Sequence, residues 1–169
     1  MKILVTYWSQ TGNTKKVAEA IFEALPLEKS IKPFNEVENI EGFDLIFIGF
    51  PVMQFGPPAQ AKKFMATHAS GKKIALFLTH AMLTLHEDRQ QQAILEKEIE
   101  KCRVACSKSE LIALFHCQGE LSKQISDVLM ASGNPMLMEF AGMRPLTIGH
   151  PNQQELEHAK TFARAVATF

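Results

Sequence analysis

Tyr7-Trp8-Ser9-Gln10-Thr11-Gly12-Asn13-Thr14 is the stretch on which the fold turns. Before it, Lys2 to Trp8 is a nearly continuous apolar run, as a parallel strand buried on both faces requires. After it, Val17, Ile21 and Leu25 recur four apart with Ala20 and Ala24 beside them. That spacing predicts an amphipathic helix over 13–25, which Pro26 ends. A polar loop between strand and helix aims backbone N–H groups into one concave space, and the helix dipole adds partial positive charge there. A phosphate is the natural occupant. Gly12 removes the Cβ that would crowd it, and Ser9, Thr11, Thr14 and the Asn13 amide add donors. An ordinary capped turn would bind nothing, but the position between a first strand and an amphipathic helix favours the anion site.

The loop itself carries no lysine or arginine, since Lys15 and Lys16 follow it on the helix. Neutral dipoles would therefore hold the anion, and hydrogen bonds to a charged group contribute about 1.5–3 kcal/mol each. The chain has neither G-x-G-x-x-G after this strand nor G-x-x-x-x-G-K-[ST], so a dinucleotide fingerprint and a nucleotide P-loop are both excluded.

Outward from this unit, apolar runs alternate with helical patterns, the mark of an α/β parallel sheet. Strands are expected near 29–34, at 44–50, at 73–79 and at 111–117. Helices are expected from Ala59 to His68 and from a capping box at Thr84-Leu85-His86-Glu87 to Cys106. Two more are expected over 121–131 and from the cap pattern Asn152-Gln153-Gln154-Glu155 to the end. The segment 132–151 is too apolar for disorder and reads as an ordered excursion. No composition shift divides the 169 residues, so one domain is expected.

Eighteen basic residues balance eighteen acidic ones, which removes the long-range field that nucleic acid or an anionic membrane would select. No apolar run reaches the roughly 20 residues of a membrane span. Three cysteines, Cys102, Cys106 and Cys117, form no disulfide framework, so a reducing cytoplasm is expected.

The stretch from Tyr7 to Thr14 resembles the flavodoxin phosphate loop, with its T/S-x-T-G-N-T pattern, and Lys15 to Ile21 is similar to that family's first helix. The element order matches over nearly the whole chain. The resemblance implies a three-layer α/β sandwich around a five-stranded parallel sheet of order 2-1-3-4-5, with FMN where the strand order reverses; flavodoxin itself is a standard example of that rule. It implies that Ser9, Gln10, Thr11, Gly12, Asn13 and Thr14 hold the phosphate. Pro51, Val52, Met53, Gln54, Phe55 and Gly56 would wrap one side of the ring. Thr79, His80, Ala81 and Met82 would meet its other edge, and Cys117, Gln118 and Gly119 would close the site. Phe115 to Gly119 and the His150-Pro151 pair resemble a flavodoxin-like subfamily. Many flavodoxins stack the ring between a tryptophan and a tyrosine, but the only ones here, Trp8 and Tyr7, lie outside the ring-binding loops. The implied activity is electron transfer between protein partners, a reductase and an acceptor, with no catalytic side chain. An FMN-dependent NAD(P)H or quinone reductase is the alternative, because a ring face without an aromatic cover suits a stacking substrate.

Individual residues keep plainer readings alongside. His80 either bonds the ring or gates a proton, or it is an exposed loop histidine. Cys117 is a packing residue before it is a ligand, and Cys102 with Cys106 lacks the second pair that zinc needs. Met136, Met138 and Met143 read as core filling, and the mixed charges of 96–101 as a solvated helix face.

Overall fold

The computed structural model describes residues 1–26, 28–83 and 89–168. Five parallel strands, β1 (Ile3–Tyr7), β2 (Lys29–Pro33), β3 (Leu45–Pro51), β4 (Lys73–His80) and β5 (Glu110–Gln118), stand in the order β2-β1-β3-β4-β5. Their crossovers carry α1 (Asn13–Ala24), α2 (Ala59–His68) and α3 (Arg89–Ala105), and after β5 come α4 (Lys123–Met130), α5 (Pro135–Gly142) and α6 (Gln153–Val166). The predicted architecture and strand order are those observed.

The central strands are apolar on both faces because helices cover both. Ile3, Val5, Leu45, Phe47 and Phe77 pack with Val17 and Ile21 of α1 and with Ala159, Ala163 and Val166 of α6. On the opposite face Leu4, Ile46, Ile48, Leu76 and Leu78 meet Phe64 and Met65 of α2 and Ile99 and Cys102 of α3. Gly49 has a specific reason to be glycine: a Cβ there would lie 1.9 Å from the Phe77 ring. Lys29, the first residue of β2, turns its ammonium back onto the end of α1. It donates to the carbonyls of Phe22 and Leu25 at 2.7 and 2.9 Å, satisfying acceptors that the helix leaves open.

Several expectations change. The capping box at Thr84-Glu87 lies outside the described residues, while that at Asn152-Glu155 is present with both reciprocal bonds. The excursion 132–151 contains α5, begun by Asn134 as cap and Pro135 in its first turn, and a 3-10 turn at Arg144–Thr147. Met136 and Met138 are exposed rather than core-filling, because α5 packs on α4 at the rim and not on the sheet. Glu98 is buried, against the expected solvated face: it lies three residues after Leu95 and four before Cys102, on the stripe that α3 turns inward. Burial raises its pKa, partly opposed by Lys101.

Candidate functional site

The loops that follow β1, β3, β4 and β5 meet at the carboxyl end of the sheet, where β1 and β3 lie side by side and their connections leave in opposite directions. Hydrogen bonds stitch these loops together. The Thr14 and Thr79 hydroxyls, both buried, are 2.8 Å apart, joining the first turn of α1 to β4. Val52 N–H donates to the Thr79 carbonyl at 2.8 Å, and Gly119 N–H to the His80 carbonyl at 2.7 Å. The Asn13 amide donates to the Glu120 carbonyl at 2.9 Å. Gly119 must lack a side chain here, since a Cβ would come within 2.7 Å of that amide.

The first loop has the geometry of an anion cradle. Gly12 adopts φ +97°, and the place of a Cβ on it faces open space. Ser9 Oγ accepts from the N–H groups of Gly12 and Lys15 at 3.1 and 3.3 Å, so it already occupies one oxygen position of such a cradle. Among the described residues, the N–H groups of Asn13 and Thr14 have no acceptor within the chain, as the start of a helix dictates. Lys15 is turned toward Glu19, 3.8 Å away, and Lys16 lines a surface cleft between α1 and α6. The loop 9–14 offers backbone and hydroxyl dipoles and carries no cationic side chain of its own. Gln10 and Thr11 are exposed at its lip.

Pro51 closes β3, and the chain then forms a tight hairpin in which Met53 and Gly56 exchange N–H···O bonds of 2.9 and 3.1 Å. Its tip residues Gln54 and Phe55 both take left-handed φ values, +48° and +65°. For side-chain-bearing residues this costs on the order of 1 kcal/mol or more, and it presents Phe55, half exposed, at the surface. Val52 and Met82, both half-buried, pack inward against the same core.

His80 is not an exposed loop histidine. It is 4% exposed, its Nε2 is 3.1 Å from His116 Nδ1, and its Nδ1 makes no hydrogen bond of normal geometry. Burial, with the His116 ring next, pushes its pKa down to about 3; the Met82 backbone opposes this weakly. The imidazole is therefore neutral at physiological pH. His116 is exposed to solvent at its outer edge, yet partial burial, with the Arg103 charge next, lowers its pKa too.

Cys117 points away from the loops into the core with α6, and burial raises its thiol pKa to about 12. Its side chain is a packing element and does not line the site. Gln118, also buried, holds the Leu146 carbonyl through its amide. Ala81 and Met82 are half-buried at the end of β4. Cys102 and Cys106 are both buried, the latter with its thiol 3.2 Å from Met65 Sδ. Among the described residues, no His/Cys/Asp/Glu group is arranged to hold a metal.

The structure adds residues that the motif reading did not reach. Glu120 carries the carbonyl that fixes Asn13, and its carboxylate accepts from Arg144 at 3.1 Å. Leu121 N–H donates to Thr147 Oγ1 at 3.0 Å, so the segment after α5 is tied to the β5 loop. Trp8 and Gln10 share the wall of a groove of about 880 Å³ with the hairpin Met53–Gly56, which brings the lone tryptophan close to the loop after β3. Adjacency of Glu120 to Gln118-Gly119 was a usable signal; nothing local marks Arg144 or Trp8.

A doubly wound sheet with a dipole cradle at its switch point defines the flavodoxin class of α/β proteins. The flavodoxin domain model matches residues 4–164, and the chain belongs to that family. It is 31% identical to the flavodoxin-like domain-containing protein BilS of Clostridioides difficile, over 97% of this chain and 95% of that protein. Oxidised flavodoxin 2 from Bacillus cereus shares the fold with a TM-score of 0.56 and 20% identity, covering 99% of each chain. A flavoprotein from Lactobacillus acidophilus solved in complex with FMN does so at 0.53 and 19%, over 68% of this chain and 92% of that one. Among the described residues no helix is long and apolar enough to cross a membrane.

Proposed function

We propose that this chain binds FMN at the carboxyl end of its sheet and carries electrons between protein partners. The observation that supports this most is the cradle at α1. Its left-handed Gly12, open face and acceptor-free N–H groups suit a phosphate monoester, and its neutral dipoles need no cation to do so. Ser9 to Thr14 would hold the phosphate, with Thr14 fixed by Thr79. Met53 and Phe55 from the hairpin, with Trp8 beside them, offer apolar and aromatic surface for the ring. The bound flavin would supply the redox chemistry; the chain positions it, tunes it and leaves its edge accessible. The absorption spectrum of the protein after FMN addition and desalting tests this directly. Flavin bands that stay with the protein support the reading, and a colourless protein ends it.

A second reading, an FMN-dependent NAD(P)H or quinone reductase, draws on one feature. Neither the loop 51–56 nor 79–82 contains a tryptophan or tyrosine to cover the ring, and Phe55 stands half exposed at the rim. Steady-state NAD(P)H oxidation by the FMN-loaded protein alone favours the enzyme. Reduction only through a partner reductase favours the carrier.

A further inference from the structure

Glu120, just past β5, touches the phosphate end of the candidate site. Its carbonyl accepts from the Asn13 amide at 2.9 Å and so fixes the first residue of α1, whose backbone N–H belongs to the cradle. Because that carbonyl is bound to Asn13, the carboxylate of the same residue is a near neighbour of the cradle. A phosphate monoester at neutral pH carries a charge of about −1.5 to −2. Charges act on one another over about 8 Å at physiological salt, so a bare carboxylate here would repel the ligand that the cradle suits. The loop 9–14 has no cation of its own to offset it.

The carboxylate is not bare. Arg144 Nη2 donates to it at 3.1 Å, with the two side chains only 26% and 35% exposed. The chain returning from α5 places Arg144 there. Thr147, itself buried, donates from Oγ1 to the Arg144 carbonyl at 2.7 Å and accepts from Leu121 N–H at 3.0 Å. The Gln118 amide donates to the Leu146 carbonyl at 3.4 Å, so the turn Arg144–Thr147 is fastened to the chain on either side of Glu120. Among the described residues Arg144 Nε is buried without an acceptor, an unmet donor that stability alone disfavours. The other carboxylate at this corner, Glu155, is already engaged, accepting from His150 Nδ1 at 2.8 Å and from Asn152 N–H at 2.7 Å.

We infer that Arg144 is a specificity-determining residue of the phosphate site, acting through Glu120. It cancels the carboxylate beside the cradle and so lets the site prefer a phosphorylated flavin to an unphosphorylated one. Its action is indirect, which makes it a positioning residue. The inference rests on the FMN reading above and adds to it what sets the choice of phosphate.

FMN and riboflavin, which differ only in the phosphate, are titrated at low ionic strength into the flavin-free protein, following flavin fluorescence. Arg144→Ala should weaken FMN at least fivefold and riboflavin less than twofold, and added salt should shrink the FMN defect. Arg144→Lys, which keeps the charge, should retain most of the FMN affinity. Glu120→Gln keeps the carbonyl and leaves Arg144 unopposed, so it should tighten FMN at least twofold. Arg144→Ala/Glu120→Gln should return FMN affinity to within twofold of the wild type. Equal weakening of both flavins by Arg144→Ala would mean a merely structural role and overturns the inference. So does a double variant that recovers nothing, or weaker FMN binding by Glu120→Gln. The recovery is read on FMN alone and decides even where riboflavin binds too weakly to titrate. A wild type that binds neither flavin ends the FMN reading and this inference together, whereas one that binds FMN with the variants behaving alike ends this inference alone.

Discussion

Thr14 and Thr79 share a hydrogen bond of 2.8 Å in the interior, 65 residues apart in sequence, and through it the start of α1 is anchored to the central strand β4. Replacing one partner leaves the other hydroxyl buried and unsatisfied, which costs about 1–3 kcal/mol; replacing both avoids that penalty. Thr14→Val and Thr79→Val should each destabilise, and the double variant by less than their sum. Urea unfolding of the four proteins measures the coupling, expected at about 0.5 kcal/mol or more. Purely additive losses would show that the hydroxyls do not act as a pair.

Gly12 and Gly71 offer a matched comparison. Both hold positive φ, +97° and +68°, with open space where a Cβ would go, but only Gly12 lies in the cradle. Alanine at either should cost roughly 1 kcal/mol of stability from the backbone alone. Gly12→Ala should also weaken FMN retention at least tenfold, because its Cβ takes up the space left for the phosphate, while Gly71→Ala should not. Fluorescence titration with FMN on both variants distinguishes the two effects.

His80 predicts a sign for the pH dependence. Its folded pKa, about 3, lies below the ordinary 6.5, so the unfolded chain binds the extra proton between those values. Stability is therefore complete above pH 6.5 and is lost as pH falls toward 3; between pH 7 and pH 5 this group alone removes about 2 kcal/mol. His80→Gln should flatten that slope, leaving the contribution of His116. Denaturant midpoints at pH 7 and 5 for both proteins are the measurement, and parallel slopes would contradict the assignment.

Gly49→Ala should be among the more damaging small changes in the sheet. The new methyl would meet the Phe77 ring at 1.9 Å in a fully buried layer, and overpacking of this kind costs about 1–3 kcal/mol or more. Phe77→Leu in the same chain should recover part of the loss. Thermal unfolding of the single and double variants gives the comparison.

Much of this molecule is decided locally. Val17, Ile21 and Leu25 recur with the period of a helix whose one face is covered, and that face meets the sheet as expected. The run from Leu45 to Phe50 is apolar at every side-chain-bearing position because its strand is buried on both sides. Asn152 with Glu155 and Gly12 with its hydroxyl neighbours act through bonds to their own backbone a few residues away, so residue type and spacing suffice to find them.

Three features escaped any local pattern. The burial of His80 depends on β5 beside it, and its partner His116 is 36 residues away. Glu98 looks solvated in a charged run and is buried because of where α3 rests. Trp8 lies outside the loops 51–56 and 79–82 in sequence, but the hairpin Met53–Gly56 shares its groove. In each case periodicity says which face is apolar and is silent on what that face will meet.

By itself, then, the sequence determined the order of strands and helices, the polar glycine turn before α1 and membership of the α/β class, since these follow from hydrophobic period and short-range hydrogen bonding. Only the tertiary structure decided which loops join, through Thr14 to Thr79 and Asn13 to Glu120, and which charged and aromatic groups share a cleft. Those pairings lie 65 and 107 residues apart, and a contact over that separation is set by the packing of the whole sheet rather than by either residue's neighbours.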